Sequence, residues 1–218
     1  MSILEELLSN NGIIAVLEIE RESDAVPACE ALLKGGVSAI ELALRTPAAE
    51  PSIKLIKEKV PQMCVGIGTI IKKGQASRVK SLGADFGVSP GFNPTIVKEA
   101  LKAGLPFAPG IATPSELEAA LSEGCEILKF FPAIPMGGEK YLNSMNGPYA
   151  YLNLKYIPLG GVSLENLSDW ARNKSVISVG GTWIAKKDLI RKGDFNQITQ
   201  NALEATRIWN NARGGNKA

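Results

Sequence analysis

Lys129 interrupts the apolar run Ile127-Leu128-Lys129-Phe130-Phe131-Pro132, whereas most other lysines of the chain fall on polar, helix-like faces. An ammonium held among Phe and Leu is destabilised relative to the neutral amine. A neutral amine is a nucleophile, and its natural target is a carbonyl carbon, with which it forms a Schiff base. The plainer alternative is a lysine whose stem packs inside while its head reaches water. Glu41 raises the same question within Ala39-Ile40-Glu41-Leu42-Ala43-Leu44. A lone buried carboxylate must be protonated or partnered. Arg45 or an intermediate on Lys129 would supply the partner, and Glu41 is then the best candidate for general acid/base work. A structural ion pair with Arg45 is the alternative.

The chain contains no histidine. That removes the commonest general base, the serine and cysteine triads built on it, and most zinc and iron sites. There is no Cys-x-x-Cys, no phosphate-binding P-loop and no Gly-x-Ser-x-Gly. Gly66-x-Gly68 follows a strand-like run, but Ile71 stands where a third glycine is needed, so the dinucleotide fingerprint fails. Chemistry must rest on Lys, Arg, carboxylates, hydroxyls and backbone groups.

The elements that position these groups are legible from composition and periodicity. At 218 residues and 45% hydrophobic, the chain fits one larger domain, residues 1–218, with a full core. A net charge of +2, from 24 basic and 22 acidic residues spread along the chain, gives no basic arm for nucleic acid. Met1 to Ser9 lacks the pattern of a signal peptide, and Ser2 with Glu5 reads as a capping box for a short helix. No apolar run approaches the roughly 18 to 20 residues that span a bilayer, so no membrane partner is expected. Cys29, Cys64 and Cys125, an odd number far apart in apolar surroundings, read as small core residues of a cytoplasmic protein.

Strands are expected at 13–18, 37–44, 63–68, 84–88, 105–109, 126–131, 155–159 and 176–180. Helices are expected near 23–34, 48–59, 74–82, 94–103, 114–123, 138–146, 164–172 and 195–210. Ser23, Thr113 with Pro114 and Glu116, and Ser163 supply helix-start chemistry. Gly35-Gly36, Gly83, Gly104 and Gly124 mark helix ends. Eight strands about twenty residues apart, each followed by a helix, point to an α/β chain folded as a single (β/α)8 TIM barrel with a short N-terminal helix. An open doubly wound sheet is the runner-up. Residues from Gly214 onward read as a frayed tail.

In such a barrel the active site lies at the C-terminal ends of the strands. The unusual residues fall there: Glu41 and Arg45, Gly68-Thr69, Ser89-Pro90-Gly91, Gly110 to Thr113, Lys129, Gly160-Gly161 and Gly180-Gly181-Thr182. Glycine pairs let backbone N–H groups approach an anion, and the Thr182 hydroxyl adds a donor, which fits a phosphate after the seventh and eighth strands. The guanidinium of Arg45 is a planar fork suited to a carboxylate, to which Thr69 could also donate.

Six segments carry a family resemblance. Glu41-Leu42-Ala43-Leu44-Arg45-Thr46-Pro47, Val65-Gly66-Ile67-Gly68-Thr69, Val88-Ser89-Pro90-Gly91, Pro109-Gly110-Ile111-Ala112-Thr113-Pro114, Leu128-Lys129-Phe130-Phe131-Pro132-Ala133 and Gly180-Gly181-Thr182-Trp183 occur in order. Together they resemble the 2-keto-3-deoxy-6-phosphogluconate (KDPG)/4-hydroxy-2-oxoglutarate aldolase family from about residue 13 to 195. The resemblance implies a class I aldolase, trimeric in most members, with no metal and no cofactor. Lys129 would form the Schiff base with the C2 carbonyl, and Glu41 would move protons. Arg45 and Thr69 would hold the pyruvyl carboxylate, while Pro90 and Phe131 would wall its pocket. Gly160, Gly161, Gly181 and Thr182 would take the phosphate.

The implied substrate is a phosphorylated 2-keto acid, cleaved to pyruvate and glyceraldehyde 3-phosphate. Three positions depart from the family pattern. Leu159 stands where many members have Thr, which leaves the choice among C4 epimers open. Glu18 stands where a basic residue is common, with Ala15 in place of a proline, and a carboxylate there repels an anionic substrate unless paired. 4-Hydroxy-2-oxoglutarate and the galactonate epimer are alternative substrates. A phosphosugar isomerase or synthase, or a non-catalytic binder, is the alternative on the same barrel.

Overall fold

A computed structural model describes residues 3–214; Ser2, expected to cap the first helix, and the tail beyond Gly214 lie outside them. Helix α1 (Ile3–Ser9) leads into β1 (Ile13–Leu17), α2 (Ala25–Lys34), β2 (Ala39–Ala43), α3 (Ala49–Lys59), β3 (Cys64–Gly68) and α4 (Gln75–Ser81). The alternation continues through β4 (Phe86–Val88), α5 (Pro94–Lys102), β5 (Phe107–Ala108), β6 (Gly110–Ile111), α6 (Pro114–Ser122), β7 (Ile127–Phe130) and α7 (Gly138–Asn146). Then come β8 (Lys155–Pro158), α8 (Leu164–Arg172), β9 (Val179–Gly181), α9 (Lys187–Lys192) and α10 (Phe195–Ala212).

All pairings are parallel, in the orders β5-β4-β3-β2-β1-β9 and β6-β7-β8. The fifth expected strand is split, because Pro109 has no N–H to add to the ladder. Its carbonyl still accepts from Lys129 N at 2.9 Å, so the chain passes from β5, paired with β4, to β6, paired with β7. At the other seam a single parallel bridge, Tyr156 to Val176, ties β8 to the segment entering β9. The fold is therefore α/β, with a parallel sheet curled upon itself.

Side chains alternate across a strand, so each strand feeds two cores. The larger one joins the outward residues, such as Ala15, Ile40, Val65 and Leu128, to the helices. The smaller fills the concave side with Ile14, Val16, Ala39, Phe86, Val88, Ala108, Ile127, Ile157 and Leu159. Leu4 and Leu8 of α1 belong to this inner cluster and close its floor. Each such leucine contributes on the order of 1.5–3 kcal/mol by leaving water. Period two then places Glu41 on the same inward face as Ala39, and Lys129 on the same face as Ile127.

Helix-start chemistry is present at Thr113, whose hydroxyl accepts from Glu116 N at 3.3 Å while Glu116 Oε2 accepts from Thr113 N at 3.0 Å. At α8, Asn166 Oδ1 accepts from Ser163 N at 3.1 Å. Ser23 is a correction: it lies within a 3-10 turn, Glu22–Asp24, and α2 begins only at Ala25. Gly36, Gly83, Gly104 and Gly124 all have positive φ at helix ends, as expected. Helix α9 and a 3-10 segment, Gly147–Leu152, were not anticipated. Both are short and lack an apolar repeat long enough to announce them. Burial pushes the thiols of Cys29 and Cys64 up to about 12 and that of Cys125 up to about 11, so all three stay protonated at neutral pH.

Candidate active site

Lys129 Nζ lies 3.0 Å from Glu41 Oε1 and 3.2 Å from Oε2, and the two side chains are only 6% and 5% exposed. They come from β7 and β2, both inward-facing, at the C-terminal edge of the concave apolar column. The amine is dry, as its apolar neighbours implied, but it is not alone. Glu41 was expected to pair with Arg45 or with an intermediate; its partner in the free protein is Lys129 itself. The ring of Phe131 completes the pocket, with its centroid 5.4 Å from Nζ.

Gly68 makes this pairing possible. A methyl group on its α carbon would stand 2.6 Å from Glu41 Cδ, so only a glycine lets the carboxylate lie over the end of β3. Gly68→Ala is expected to lower kcat about a hundredfold by displacing Glu41, since misplacement by about 1 Å costs that much. Steady-state kinetics with circular dichroism as the fold control check this.

Thr69 follows at φ 63°, a conformation that costs a β-branched residue about 1–3 kcal/mol. It is held there by its neighbours: Leu44 N donates to Gly68 O at 3.0 Å, and Ile70 N donates to Val88 O at 3.3 Å. Across the pocket, Ser89 Oγ donates to Gly91 O at 2.7 Å and bends the loop, leaving Pro90 exposed at the rim with its carbonyl against Gly110. Gly110 is itself the ladder partner of Lys129.

The glycine pair after β8 has φ 92° at Gly160 and 84° at Gly161, values that leave little choice of residue. The carbonyl of Gly160 accepts from Ile134 N at 2.9 Å, while the N–H groups of Gly160 and Gly161 have no protein acceptor among the described residues. On the neighbouring strand, Gly181 pairs with Ala15 and lies under the indole of Trp183; Thr182 is exposed beyond it. These groups therefore line the same edge of the sheet as Lys129 and Glu41, on strands adjoining β1 and β7.

A family model described as KDPG and KHG aldolase matches residues 4–201. The chain belongs to the KDPG and KHG aldolase family. It is 39% identical over 201 residues to a 2-dehydro-3-deoxy-phosphogluconate aldolase of Dickeya dadantii, covering 92% of this chain and 93% of that one. It is also similar to a solved KDPG aldolase of Legionella pneumophila, in which pyruvate is captured as a covalent carbinolamine intermediate. That structure is 32% identical with a TM-score of 0.88, over 94% of this chain and 98% of the other. A Zymomonas mobilis KDPG aldolase solved with 3-phosphoglycerate is 33% identical with a TM-score of 0.86, over 94% and 95% of the two chains.

Within this aldolase fold, two of the departures from the family pattern acquire surroundings. Glu18 is paired: Lys187 Nζ lies 2.7 Å from its Oε1, and Arg45 Nη1 lies 3.9 Å from its Oε2. Lys187 also reaches Glu20 at 3.0 Å, and hydrogen bonds to both carboxylates raise its pKa above the ordinary lysine value. Leu159 is buried in the inner apolar cluster, its side chain against Gly180. Lys187 is not visible in the sequence as a functional residue, because it opens α9, a helix too short to show an apolar repeat. No local signal pointed to it.

Proposed function

We propose that this chain is a class I aldolase that cleaves 2-keto-3-deoxy-6-phosphogluconate to pyruvate and glyceraldehyde 3-phosphate, acting through a Schiff base on Lys129. The observation that carries the proposal is the dry Lys129–Glu41 pair at the C-terminal edge of the sheet. The two sheets are read as arcs of one closed (β/α)8 barrel, joined at Pro109 and at the Tyr156–Val176 bridge. Family resemblance supports a cytoplasmic homotrimer.

Nζ must give up a proton before it can attack the C2 carbonyl, and Glu41 is the acceptor within reach. Attack gives a carbinolamine; Glu41 returns the proton to the departing hydroxyl, and water leaves an iminium. Glu41, a carboxylate again once water has left, takes the C4 hydroxyl proton, and the C3–C4 bond breaks. The electron pair flows into the iminium to form an enamine, and C4 departs as the aldehyde of glyceraldehyde 3-phosphate. Protonation of C3 and hydrolysis release pyruvate and restore the amine.

The family resemblance supports the remaining roles. Arg45 and Thr69 hold the pyruvyl carboxylate, while Pro90 and Phe131 wall the pocket. Gly160, Gly161, Gly181 and Thr182 take the phosphate, with the two glycine N–H groups after β8 as donors lacking protein acceptors. At position 159 the chain offers hydrocarbon where a hydroxyl would read the sugar-acid chain. Without a hydrogen-bonding group there, discrimination between C4 epimers is expected to be weak.

Incubation with pyruvate and borohydride tests the reading: a covalent mass increment is expected on the peptide carrying Lys129. Its absence would favour an isomerase, or a binder, on the same fold. Rates on the gluconate and galactonate substrates and on 4-hydroxy-2-oxoglutarate, measured side by side, rank the candidates. Pyruvate release no faster than the buffer rate on all three would reject the assignment. Activity is also expected to survive prolonged EDTA treatment, because the iminium already serves as the electron sink. Loss restored by added divalent metal would contradict this.

A further inference from the structure

Glu18 follows β1 and stands between cations supplied from both neighbouring strands. Arg45 follows β2, whose Leu42 is the ladder partner of Leu17, and Lys187 follows β9, whose Gly181 pairs with Ala15. The two carboxylate oxygens are divided between them. Oε1 is engaged by Lys187 at 2.7 Å, whereas Oε2 faces Arg45 at 3.9 Å, beyond hydrogen-bond reach. No protein group among the described residues accepts a hydrogen bond from the Arg45 guanidinium, and its side chain is 57% exposed.

We propose that Lys187 is a positioning residue: by holding Glu18 it keeps that carboxylate from hydrogen-bonding Arg45, which it only faces at 3.9 Å, and leaves the guanidinium donors open to a keto-acid carboxylate. This rests on the assignment of Arg45 to the pyruvyl carboxylate. The other cations of the cluster are committed elsewhere. Arg21 donates to Asp24 Oδ2 at 2.9 Å, and Arg191 lies 2.9 Å from Asp188. Without Lys187, the nearest cation to which Glu18 can turn is Arg45, and Glu20 also loses its partner. A substrate carboxylate then has to displace a carboxylate already on the fork. Because the cluster is solvated, the penalty is modest, about two- to fivefold in half-saturation.

The test compares wild type, Lys187→Met, Glu18→Gln and the double variant. It reads the pyruvate concentration that half-saturates borohydride-dependent labelling, together with KM and kcat for cleavage. Lys187→Met is expected to raise half-saturation about two- to fivefold with kcat unchanged. The double variant is expected to return it to the wild-type value, because the competing carboxylate has gone. A purely structural role for Lys187 would give a rise that Glu18→Gln does not reverse. That result, or an unchanged half-saturation in Lys187→Met, would overturn the proposal. Absence of any adduct in the wild type would instead reject the Schiff-base chemistry, and this inference with it.

Discussion

Lys129→Met is expected to abolish both the pyruvate adduct and turnover, leaving cleavage at the background rate. Removing the nucleophile removes the covalent route, and among the described residues no other lysine is paired with Glu41 to replace it; Lys187, near the rim, is tied to Glu18 and Glu20. The substitution has a second consequence peculiar to this site. Glu41, 5% exposed, loses the partner that lies 3.0 Å away. Breaking a buried pair on one side costs about 3–5 kcal/mol, unless the carboxyl takes up a proton. The variant is therefore expected to unfold at a lower denaturant midpoint and to regain stability as the pH is lowered. Lys129→Met with Glu41→Gln should recover most of the midpoint and none of the activity. Equilibrium denaturation and mass-resolved borohydride labelling separate the two effects. Full stability in the single variant would mean that Glu41 finds another partner.

Glu41→Gln is expected to lower kcat by roughly two to four orders of magnitude while Lys129 remains in place, the range associated with a positioned proton carrier. The amide keeps the shape of the carboxylate and can still accept a hydrogen bond from Nζ through its oxygen. It cannot take the lysine proton before attack, nor return one to the departing hydroxyl. Adduct formation should slow with turnover instead of being bypassed, since both need the same proton transfer. A single-turnover measurement of labelling rate against kcat checks this. Labelling at the wild-type rate with kcat reduced would confine Glu41 to the later, bond-breaking steps. The pair is thus expected to behave as a unit, with the double variant little worse than the Lys129 variant in activity.

Much of this arrangement is legible in the sequence. A lysine inside Ile127-Leu128-Lys129-Phe130-Phe131 and a glutamate inside Ala39-Ile40-Glu41-Leu42 are visible because burial of charge violates the local pattern. The alternation of strands and helices was legible for the same reason: periodicity and helix ends are short-range properties. The Thr113 cap with Glu116, and the glycines at 36, 83, 104 and 124, report conformations fixed within a few residues. Elements whose local signal is thin are not legible in the same way. Ser23 went into a 3-10 turn, Pro109 divided a strand, and α9 gave no apolar repeat to follow.

Which residues are out of place, and the order of the elements that carry them, can be read along the chain. Which of those residues meet depends on how the sheet closes. Lys129 and Glu41 are 88 positions apart, and Lys187 and Glu18 are 169 apart. Their pairing depends on parallel register between strands and on which face each side chain takes, neither of which a local stretch encodes. The need for glycine at position 68 has the same origin. It answers to a carboxylate on the neighbouring strand, across the ladder that pairs Ala43 with Gly68. Intrinsic propensity acts over a few bonds, whereas a site of this kind is made by the closing of a sheet.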